Sequence, residues 1–223
     1  LYSGQAQDFP TASDPCELAA AVTDANLNAS CLATGVAASA LGTAINGGSS
    51  QIESVTGGNP NLREETADTW TAGVVLQPGF LPRFTATVDY YHISIDNYIS
   101  TPGTANIIAA CYGTAANGWT PYDSSYCSLL PRNADSYAIE GAENLLSNTG
   151  GLKTEGVDFE VNYSVPLNFG VFGAKSGKLA FRVAGTRLIR FDLNPVAAIP
   201  DLNQSCAGKF GVYCGNPYSK LRL

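Results

Sequence analysis

The sequence predicts an all-β protein in which long antiparallel strands form part of a membrane-spanning barrel wall. Three observations predict this class. Apolar and polar residues alternate along several segments, which is the periodicity of a strand with one apolar face. Those segments are separated by stretches rich in Gly, Pro, Asn and Ser that are alternately long and short. Hydrophobic residues make up 45% of the chain and charged residues only 14%, yet no run of about 18 apolar residues could form a transmembrane helix.

The first two strands form a predicted hairpin. We place them at residues 69–76 and 84–99, on either side of a short turn at residues 77–83 that contains Pro and Gly. The first strand has an apolar face made by Trp70, Ala72, Val74 and Leu76. Its opposite face, which includes Thr71, is small and mildly polar, so we expect Thr71 to face the barrel lumen.

The second strand changes its apolar face half-way along. Its lower half has one apolar row: Phe84, Ala86, Val88 and Tyr90. Its upper half has a row on the opposite face: Tyr91, Ile93, Ile95 and Ile99. A side-chain period of two allows this only with a β-bulge at Tyr90-Tyr91 or with a change of surroundings. In the second case the lower half faces lipid and the tyrosine pair marks the outer membrane interface. The pattern fits both explanations.

Two further strands are predicted at residues 142–165 and 178–191, with another strand starting at Tyr218. In the strands at residues 142–165 and 178–191, polar side chains fall on one face: Asp158, Glu160, Asn162 and Arg182. Because carboxylates and an amide face hydrocarbon only at high cost, we expect this face to line the lumen.

The predicted wall has about four full strands and two fragments, and its connections differ in length. A large outer-membrane barrel has about 22 strands, so this wall is only part of one and we expect a piece of a longer protein. The long connections are predicted at residues 3–58, 100–137 and 192–217, and the short turns at residues 77–83 and 166–177. This asymmetry is typical of outer-membrane barrels, with extracellular loops and periplasmic turns.

The first loop contains a predicted helix start. Asp14 is the predicted N-cap, Pro15 occupies the first helical position and Glu17 completes a capping box. We expect a short Ala-rich helix to about Asn28 and a second helix near residues 36–41.

The six cysteines fall as three sequential pairs, each within one predicted loop. Local pairing therefore predicts three disulfides: Cys16–Cys31, Cys111–Cys127 and Cys206–Cys214. Disulfides indicate an oxidising compartment. The alternative is a metal site, but the chain has no CxxC and its only histidine, His92, lies elsewhere, so we predict neither metal nor cofactor.

No catalytic constellation is predicted. His92 has no triad around it. Asp158 and Glu160 lie two apart on one strand face, and the alternative to a solvated lumen network would be a glycosidase pair. We favour the lumen network and predict that the chain is not an enzyme.

Ligand contacts are predicted in the second loop. Candidates are three aromatic residues and one cation: Trp119, Tyr122, Tyr126 and Arg132. Exposed aromatic rings stack on sugars or planar chelates. The alternative is that the rings pack the loop against its own disulfide. The net charge of −7, with no run of Lys or Arg, argues against a nucleic-acid partner.

Two segments also carry a family resemblance. Residues 59–66, NPNLREET, are followed by QPGFLPRF and VDYYHISIDNYI, which together resemble the barrel wall of TonB-dependent outer-membrane receptors. Residues 148–158, NTGGLKTEGVD, resemble a later strand of that family and stand one loop downstream, where the family places it.

The resemblance implies an active importer in the bacterial outer membrane. Such receptors capture a scarce ligand, which is an iron chelate (siderophore), cobalamin or an oligosaccharide, on extracellular loops, and TonB drives a plug domain to release it inward. Residues 1–223 would then be part of one barrel domain that contacts lipid, without the plug domain through which TonB acts. The resemblance also implies that the lumen face contacts this plug. A surface lipoprotein or a neighbouring barrel is a further candidate partner.

Two other classes stay open at this point. One is a soluble or cell-surface β-sandwich module for binding or adhesion, which would bury Asp158, Glu160 and Asn162 or expose the apolar row of the same strand. The other is a passive porin, which predicts denser lumen charge.

Overall fold

The computed structural model describes residues 4–170, 176–199, 202–209 and 221–222. The chain divides into two compact units. The first, here called the loop unit, consists of the described residues within Leu1–Glu65, Asn97–Gly151 and Asn194–Asn203. The second, the wall unit, consists of those within Thr66–Asp96, Leu152–Leu193 and Gln204–Leu223. In the described ranges, no helix is both long and apolar enough to cross a membrane.

Most of the ordered elements are strands. Numbered along the chain, they are β1 (Ala6–Asp8), β2 (Ser54–Thr56), β3 (Thr66–Leu76), β4 (Phe84–Asp96), β5 (Ile99–Ser100), β6 (Ala142–Glu143), β7 (Ser147–Asn148), β8 (Gly151–Leu167), β9 (Gly177–Asn194), β10 (Gln204–Ser205) and β11 (Leu221–Arg222). The helices are α1 (Ala20–Thr23), α2 (Ala25–Ala33) and α3 (Thr104–Tyr112), with 3₁₀ turns at Pro15–Glu17, Ala115–Asn117 and Ser124–Leu129.

The wall unit is a single sheet in the order β10-β9-β8-β4-β3, with β11 also pairing with β9. Two of its ladders are antiparallel and uninterrupted. β3 pairs with β4 from Thr66↔Asp96 to Leu76↔Ala86. β4 pairs with β8 from Phe84↔Tyr163 to Ile95↔Leu152. Neither ladder contains an extra residue, so the β-bulge at Tyr90-Tyr91 is excluded. A change of surroundings stays the prediction for the face change.

Two strand ends differ from the prediction for local reasons. β4 ends at Asp96, not at residue 99, because Asn97 adopts a φ of 55°, a left-handed conformation that turns the chain. Residues 142–150 do not begin the third wall strand. They form β6 and β7, and β8 starts only at Gly151, whose φ of 133° suits glycine alone.

The loop unit contains two small sheets and a buried core. One sheet has the order β1-β2-β6 and the other pairs β5 with β7. We call its larger buried group the main cluster, which comprises Ala12, Cys16, Ala21, Leu27, Cys31, Val36, Leu41, Ile52, Ile107, Ile108, Cys111, Tyr112, Leu130, Ile139 and Ala142. The smaller cluster comprises Ala110, Val196 and Ile199. The predicted loops are therefore packed structures with their own interior.

The helix prediction in the first loop was right at its start and wrong beyond it. Asp14 accepts a hydrogen bond from the Cys16 N–H at 3.0 Å and caps a 3₁₀ turn. The predicted capping box does not form, because the Glu17 carboxylate accepts from the Asn46 N–H. Asp24 is extended and accepts from two following amides, so the chain stops and restarts there, giving α1 and α2 instead of one helix. The predicted helix at residues 36–41 is a turn.

Two of the predicted disulfides are confirmed. Cys16 bonds to Cys31 with a Cα–Cα distance of 5.8 Å, and Cys111 bonds to Cys127 with a Cα–Cα distance of 4.8 Å. The predicted third pair includes Cys214, which lies outside the described residues. Both described disulfides tie a helix of the loop unit to a 3₁₀ turn.

Candidate ligand-binding site

The loop unit contains an open cleft of about 410 Å³. Its lining combines carboxamides, hydroxyl groups, one carboxylate, one phenol and aliphatic walls: Asn59, Asn61, Pro102, Ser125, Tyr126, Leu129, Glu143, Leu145 and Ser147. None of these residues is Lys, Arg or His. The cleft can therefore donate and accept hydrogen bonds but offers no cation from its lining to an anionic ligand.

One wall of the cleft is the Asn59-Pro60-Asn61-Leu62 segment. The Asn59 side-chain oxygen accepts a hydrogen bond from the Asn61 N–H at 2.9 Å, which makes a local Asx turn around Pro60. This turn holds both carboxamide residues at the cleft without support from a helix or strand.

The second sequence motif anchors the first. The Asn148 side chain accepts from the Arg63 N–H at 2.8 Å and donates to the Arg63 carbonyl at 2.9 Å. The same side chain donates to the Asn97 carbonyl at 2.9 Å. Glu65 adds a contact by accepting from the Ile99 N–H at 2.6 Å. The two segments that carry the family resemblance thus meet through side chain to backbone bonds, and Ser147 beside Asn148 lines the cleft.

The 3₁₀ turn Ser124–Leu129 contributes three more lining residues: Ser125, Tyr126 and Leu129. Asp123 caps it by accepting from the Ser125 N–H at 2.9 Å, and hydrogen bonds from Ser125 lower the pKa of Asp123. Tyr126 packs against both buried clusters, and burial raises the pKa of its phenol. The Tyr126 phenol gives the cleft lining a group that can both donate and accept a hydrogen bond.

Tyr126 is the one predicted aromatic residue that lines the cleft. Trp119 packs against the main cluster, and Tyr122 packs against the smaller cluster. For these two residues the contacts favour the packing alternative, because the rings complete the loop interior.

Arg132, predicted as a ligand contact in the second loop, lies buried in an ion pair and does not line the cleft. Its guanidinium binds both oxygens of Asp14, at 2.7 and 2.9 Å, and the two side chains are 4% and 0% exposed. Arg132 also donates to the Tyr112 hydroxyl at 2.9 Å. Burial lowers the pKa of Arg132, but the hydrogen bonds to Asp14 and the nearby charges raise it by more, so its net pKa lies above the ordinary value. The pair joins the first and second loops inside their common core.

The residues predicted to face the lumen share one face of the wall sheet. In the ladders Thr71 lies opposite Tyr91, and Asp158 lies opposite Asp89, so strand alternation puts these side chains on the same side. Arg182 contacts an acid on this face, since its guanidinium lies 2.9 Å from the Glu160 carboxylate. Polar bonds continue along this face: Asn162 donates to Glu160 at 2.7 Å and Thr186 donates to Asp158 at 2.6 Å.

His92 lies on the other face, above an aromatic pair. Its ring stacks on Trp70 with centroids 6.0 Å apart, and its Nδ1 is 3.9 Å from Glu155. Trp70 also contacts Tyr90, with ring centroids 4.8 Å apart. We call Trp70 and Tyr90 the aromatic boundary, because the face below it is apolar and the face above it carries His92 and Glu155.

Sequence reasoning missed most of the cleft. Asn59 and Asn61 were noticed as family markers, but Glu143, Leu145 and Ser147 lie in a segment interpreted as strand. The Gly150-Gly151 pair was the available signal, since it separates that segment from the true strand. Among the described residues, no group of His, Cys, Asp and Glu could hold a metal ion.

Comparison with protein families identified a related family. A family model described as "TonB dependent receptor-like, beta-barrel" matches residues 26–213. Comparisons with curated proteins and with solved structures found no match. The matched span contains both motifs, the whole lining of the cleft and the four long wall strands.

Proposed function

The chain belongs to the TonB-dependent receptor β-barrel family, and we propose that it supplies barrel wall and ligand-facing loops to an importer of a scarce ligand. The family consists of outer-membrane transporters, not of enzymes. Energy would reach the transporter from TonB through a plug domain. The ligand belongs to one of three classes: an iron chelate, cobalamin or an oligosaccharide.

The observation that carries this proposal is the difference between the two faces of the wall. Phe181 and Val183 are each 53% exposed on one face, while Arg182 and Glu160 form their ion pair on the other. Apolar area left in water costs roughly 25 cal/mol per Å², so a row of such residues requires a nonaqueous cover. A bilayer provides this cover along one face of a barrel wall.

The β-sandwich alternative has less support. A sandwich needs a second sheet packed on the apolar face of the first. In the part of the wall unit that the structure describes, Val74, Phe181 and Val183 remain about half exposed, so no layer covers them. The passive-porin alternative is also less well supported. It explains neither the match to the receptor family nor the cleft in the loop unit.

The loops and turns then take opposite sides of the membrane. We propose that the connections at residues 3–58, 100–137 and 192–217 are extracellular and that the turns at residues 77–83 and 166–177 are periplasmic. The difference in length supports this orientation, because outer-membrane barrels have long extracellular loops and short periplasmic turns. The two described disulfides fit either side, since both sides of the outer membrane are oxidising.

The cleft favours the oligosaccharide among the three ligand classes. Its carboxamides, hydroxyl groups and single carboxylate match a neutral, hydroxyl-rich ligand, and the Tyr126 ring supplies an aromatic surface. An anionic iron chelate would meet Glu143 without a lining cation to offset the repulsion.

Uptake by intact cells tests the function. Strains with and without the gene would be given labelled oligosaccharides, a ferric chelate or cobalamin at limiting concentration. We expect loss of oligosaccharide uptake on deletion of the gene and an equal loss on deletion of TonB. Uptake that persists without TonB would instead show a passive channel.

Two isosteric variants test the cleft separately from transport. Glu143→Gln removes the lining carboxylate, and Glu140→Gln changes an exposed carboxylate that does not line the cleft. Because hydrogen bonds to charged groups are worth about 1.5–3 kcal/mol, we expect Glu143→Gln to weaken ligand binding about tenfold or more and Glu140→Gln to leave it unchanged. Equal affinities for both variants with normal TonB-dependent uptake would place the ligand elsewhere while the transport function stands.

A further inference from the structure

The charge of the chain is distributed unevenly between the two units. The described residues of the loop unit include eleven Asp and Glu but only two Arg, which gives a net charge of −9. The described residues of the wall unit include seven Asp and Glu and eight Lys and Arg, which gives a net charge of +1 with His92 neutral. The acidic character of the chain therefore belongs to the unit that contains the cleft.

Neither arginine of the loop unit balances this charge at the cleft. Arg132 is buried with Asp14, so these two charges cancel each other inside the core. Arg63 is exposed, but Glu64 and Glu65 follow it directly and are exposed as well. Neither arginine lines the cleft. The cleft thus opens from a surface of one sign, and such a surface attracts ligands of the opposite sign.

The cleft contains a carboxylate that the protein does not use. Eight of the eleven acidic residues accept at least one hydrogen bond from the protein, as Glu65 does from the Ile99 N–H. Glu143 lines the cleft and is exposed, and its side chain accepts no hydrogen bond from the described part of the chain. Both of its oxygens are therefore available to a ligand in the cleft.

The cleft places the Tyr126 ring in the same lining as this carboxylate. A carboxylate accepts hydrogen bonds from an ammonium group and balances its charge, and the face of an aromatic ring also attracts a cation. A neutral oligosaccharide fits the carboxamide and hydroxyl groups of the lining but offers Glu143 no counter-charge. A protonated amine on the sugar supplies both the hydrogen-bond donors and the charge.

We propose that the oligosaccharide bound by this cleft carries free amines, as amino sugars do. A protonated amine binds the Glu143 carboxylate and lies against the Tyr126 ring, while the hydroxyl groups of the sugar bind the remaining polar lining. The acidic loop unit raises the local concentration of such a ligand. This inference rests on the proposed function, in which the cleft binds an oligosaccharide for import, and it adds the charge of that ligand.

Three tetrasaccharides with the same linkage test the amine. They are built from glucosamine, N-acetylglucosamine or glucose, so the second carbon of each ring carries an amine, an acetamide or a hydroxyl group. Binding to the intact protein in detergent would be measured by calorimetry at about pH 6, where amines are protonated and carboxylates are ionised. Glu143→Gln is compared with Glu140→Gln, which changes an exposed carboxylate of the same unit outside the cleft.

We expect the glucosamine chain to bind about tenfold more tightly than the glucose chain, because hydrogen bonds to charged groups are the stronger ones. Glu143→Gln should remove most of this preference, and Glu140→Gln should keep it. The preference should also decrease as the salt concentration is raised, since salt screens exposed charges. The Glu143 side chain makes no hydrogen bond to the described residues, so its substitution should leave the fold intact.

Three results would overturn the proposal, and they are distinguishable. Equal or tighter binding of the glucose or N-acetylglucosamine chain would exclude the amine and leave saccharide import standing. An equal decrease of the preference in both variants would assign it to the net charge of the loop unit and not to Glu143. If none of the three chains bound, the oligosaccharide assignment would fall together with this inference, whereas TonB-dependent uptake of another ligand would still support the importer.

Discussion

The loop unit and the wall unit are stabilised in opposite ways. The loop unit buries two hydrophobic clusters and a salt bridge around its disulfides. Among the described residues of the wall unit, the buried apolar side chains are Ala86, Cys206 and Ala207, and large apolar residues are exposed. The loop unit thus has the interior of a water-soluble protein, whereas the wall unit has a continuous backbone ladder and two different surfaces.

This difference shows that two units of one chain can suit two environments, water and a lipid bilayer. In water, apolar side chains must be turned inward, and the loop unit does this with short helices and turns. In a bilayer, backbone groups must be paired within the sheet, and apolar side chains can point outward. Equivalent substitutions should therefore have different consequences in the two units.

The largest expected effect is the loss of the buried salt bridge. Arg132→Ala leaves the Asp14 carboxylate without its cation at a site with 0% exposure, which should destabilise the loop unit by about 3–5 kcal/mol. Hydrogen exchange of the α3 amides in the intact protein would measure this loss as faster exchange.

Two variants serve as controls for that comparison. Arg182→Ala breaks the salt bridge between Arg182 and Glu160 in the wall unit. Because the Arg182 side chain is 69% exposed, this variant should change the hydrogen exchange of the neighbouring wall-unit amides very little. The double variant Asp14→Asn with Arg132→Met removes both charges while keeping an oxygen for the Cys16 N–H, so it should recover much of the loss. If Arg132→Ala and Arg182→Ala had equal effects, the contrast between the units would be wrong.

An intermediate effect is expected from adding charge to the two faces of β9. Val183→Lys puts an ammonium on the apolar face and should cost about 2–4 kcal/mol if that face meets the bilayer interior. Ala184→Lys, one residue further on, puts the same charge on the face of Arg182 and should be nearly neutral. Denaturant unfolding of the intact protein from vesicles measures both. The opposite ranking would indicate that the polar face is buried, as in a sandwich.

The smallest expected effect is a pH dependence in the stability of the 3₁₀ turn Ser124–Leu129, which Asp123 caps. The pKa of Asp123 is lowered from its ordinary 3.8 by hydrogen bonds from Ser125. Its stabilisation is thus fully present above pH 3.8 and is lost as pH falls through the lower folded value. The Ser125 amide should then exchange faster, whereas Asp123→Asn should remove this pH dependence, since its oxygen accepts at every pH. A pH dependence that survives Asp123→Asn would assign it to another group.

Strand prediction succeeded where the pattern was long and failed where a single residue changed the backbone. The alternation in β3, β4 and β9 placed these strands within a few residues. It extended β4 too far because one left-handed residue, Asn97, ends the strand without altering the hydrophobic pattern. The prediction also joined residues 142–150 and β8 into one strand. In the structure β6 and β7 lie in that segment and pair with other strands of the loop unit.

By itself, the sequence determined the all-β wall, the two described disulfides and the family, because these depend on local alternation, loop spacing and motifs of consecutive residues. Tertiary structure alone decided which distant side chains meet. Asp14 and Arg132 are 118 positions apart, and Arg63 and Asn148 are 85 positions apart. No local pattern encodes such contacts, because they form only when the packed core brings the segments together. For the same reason Arg132 became a buried structural residue, and the cleft arose from residues that have no pattern of their own.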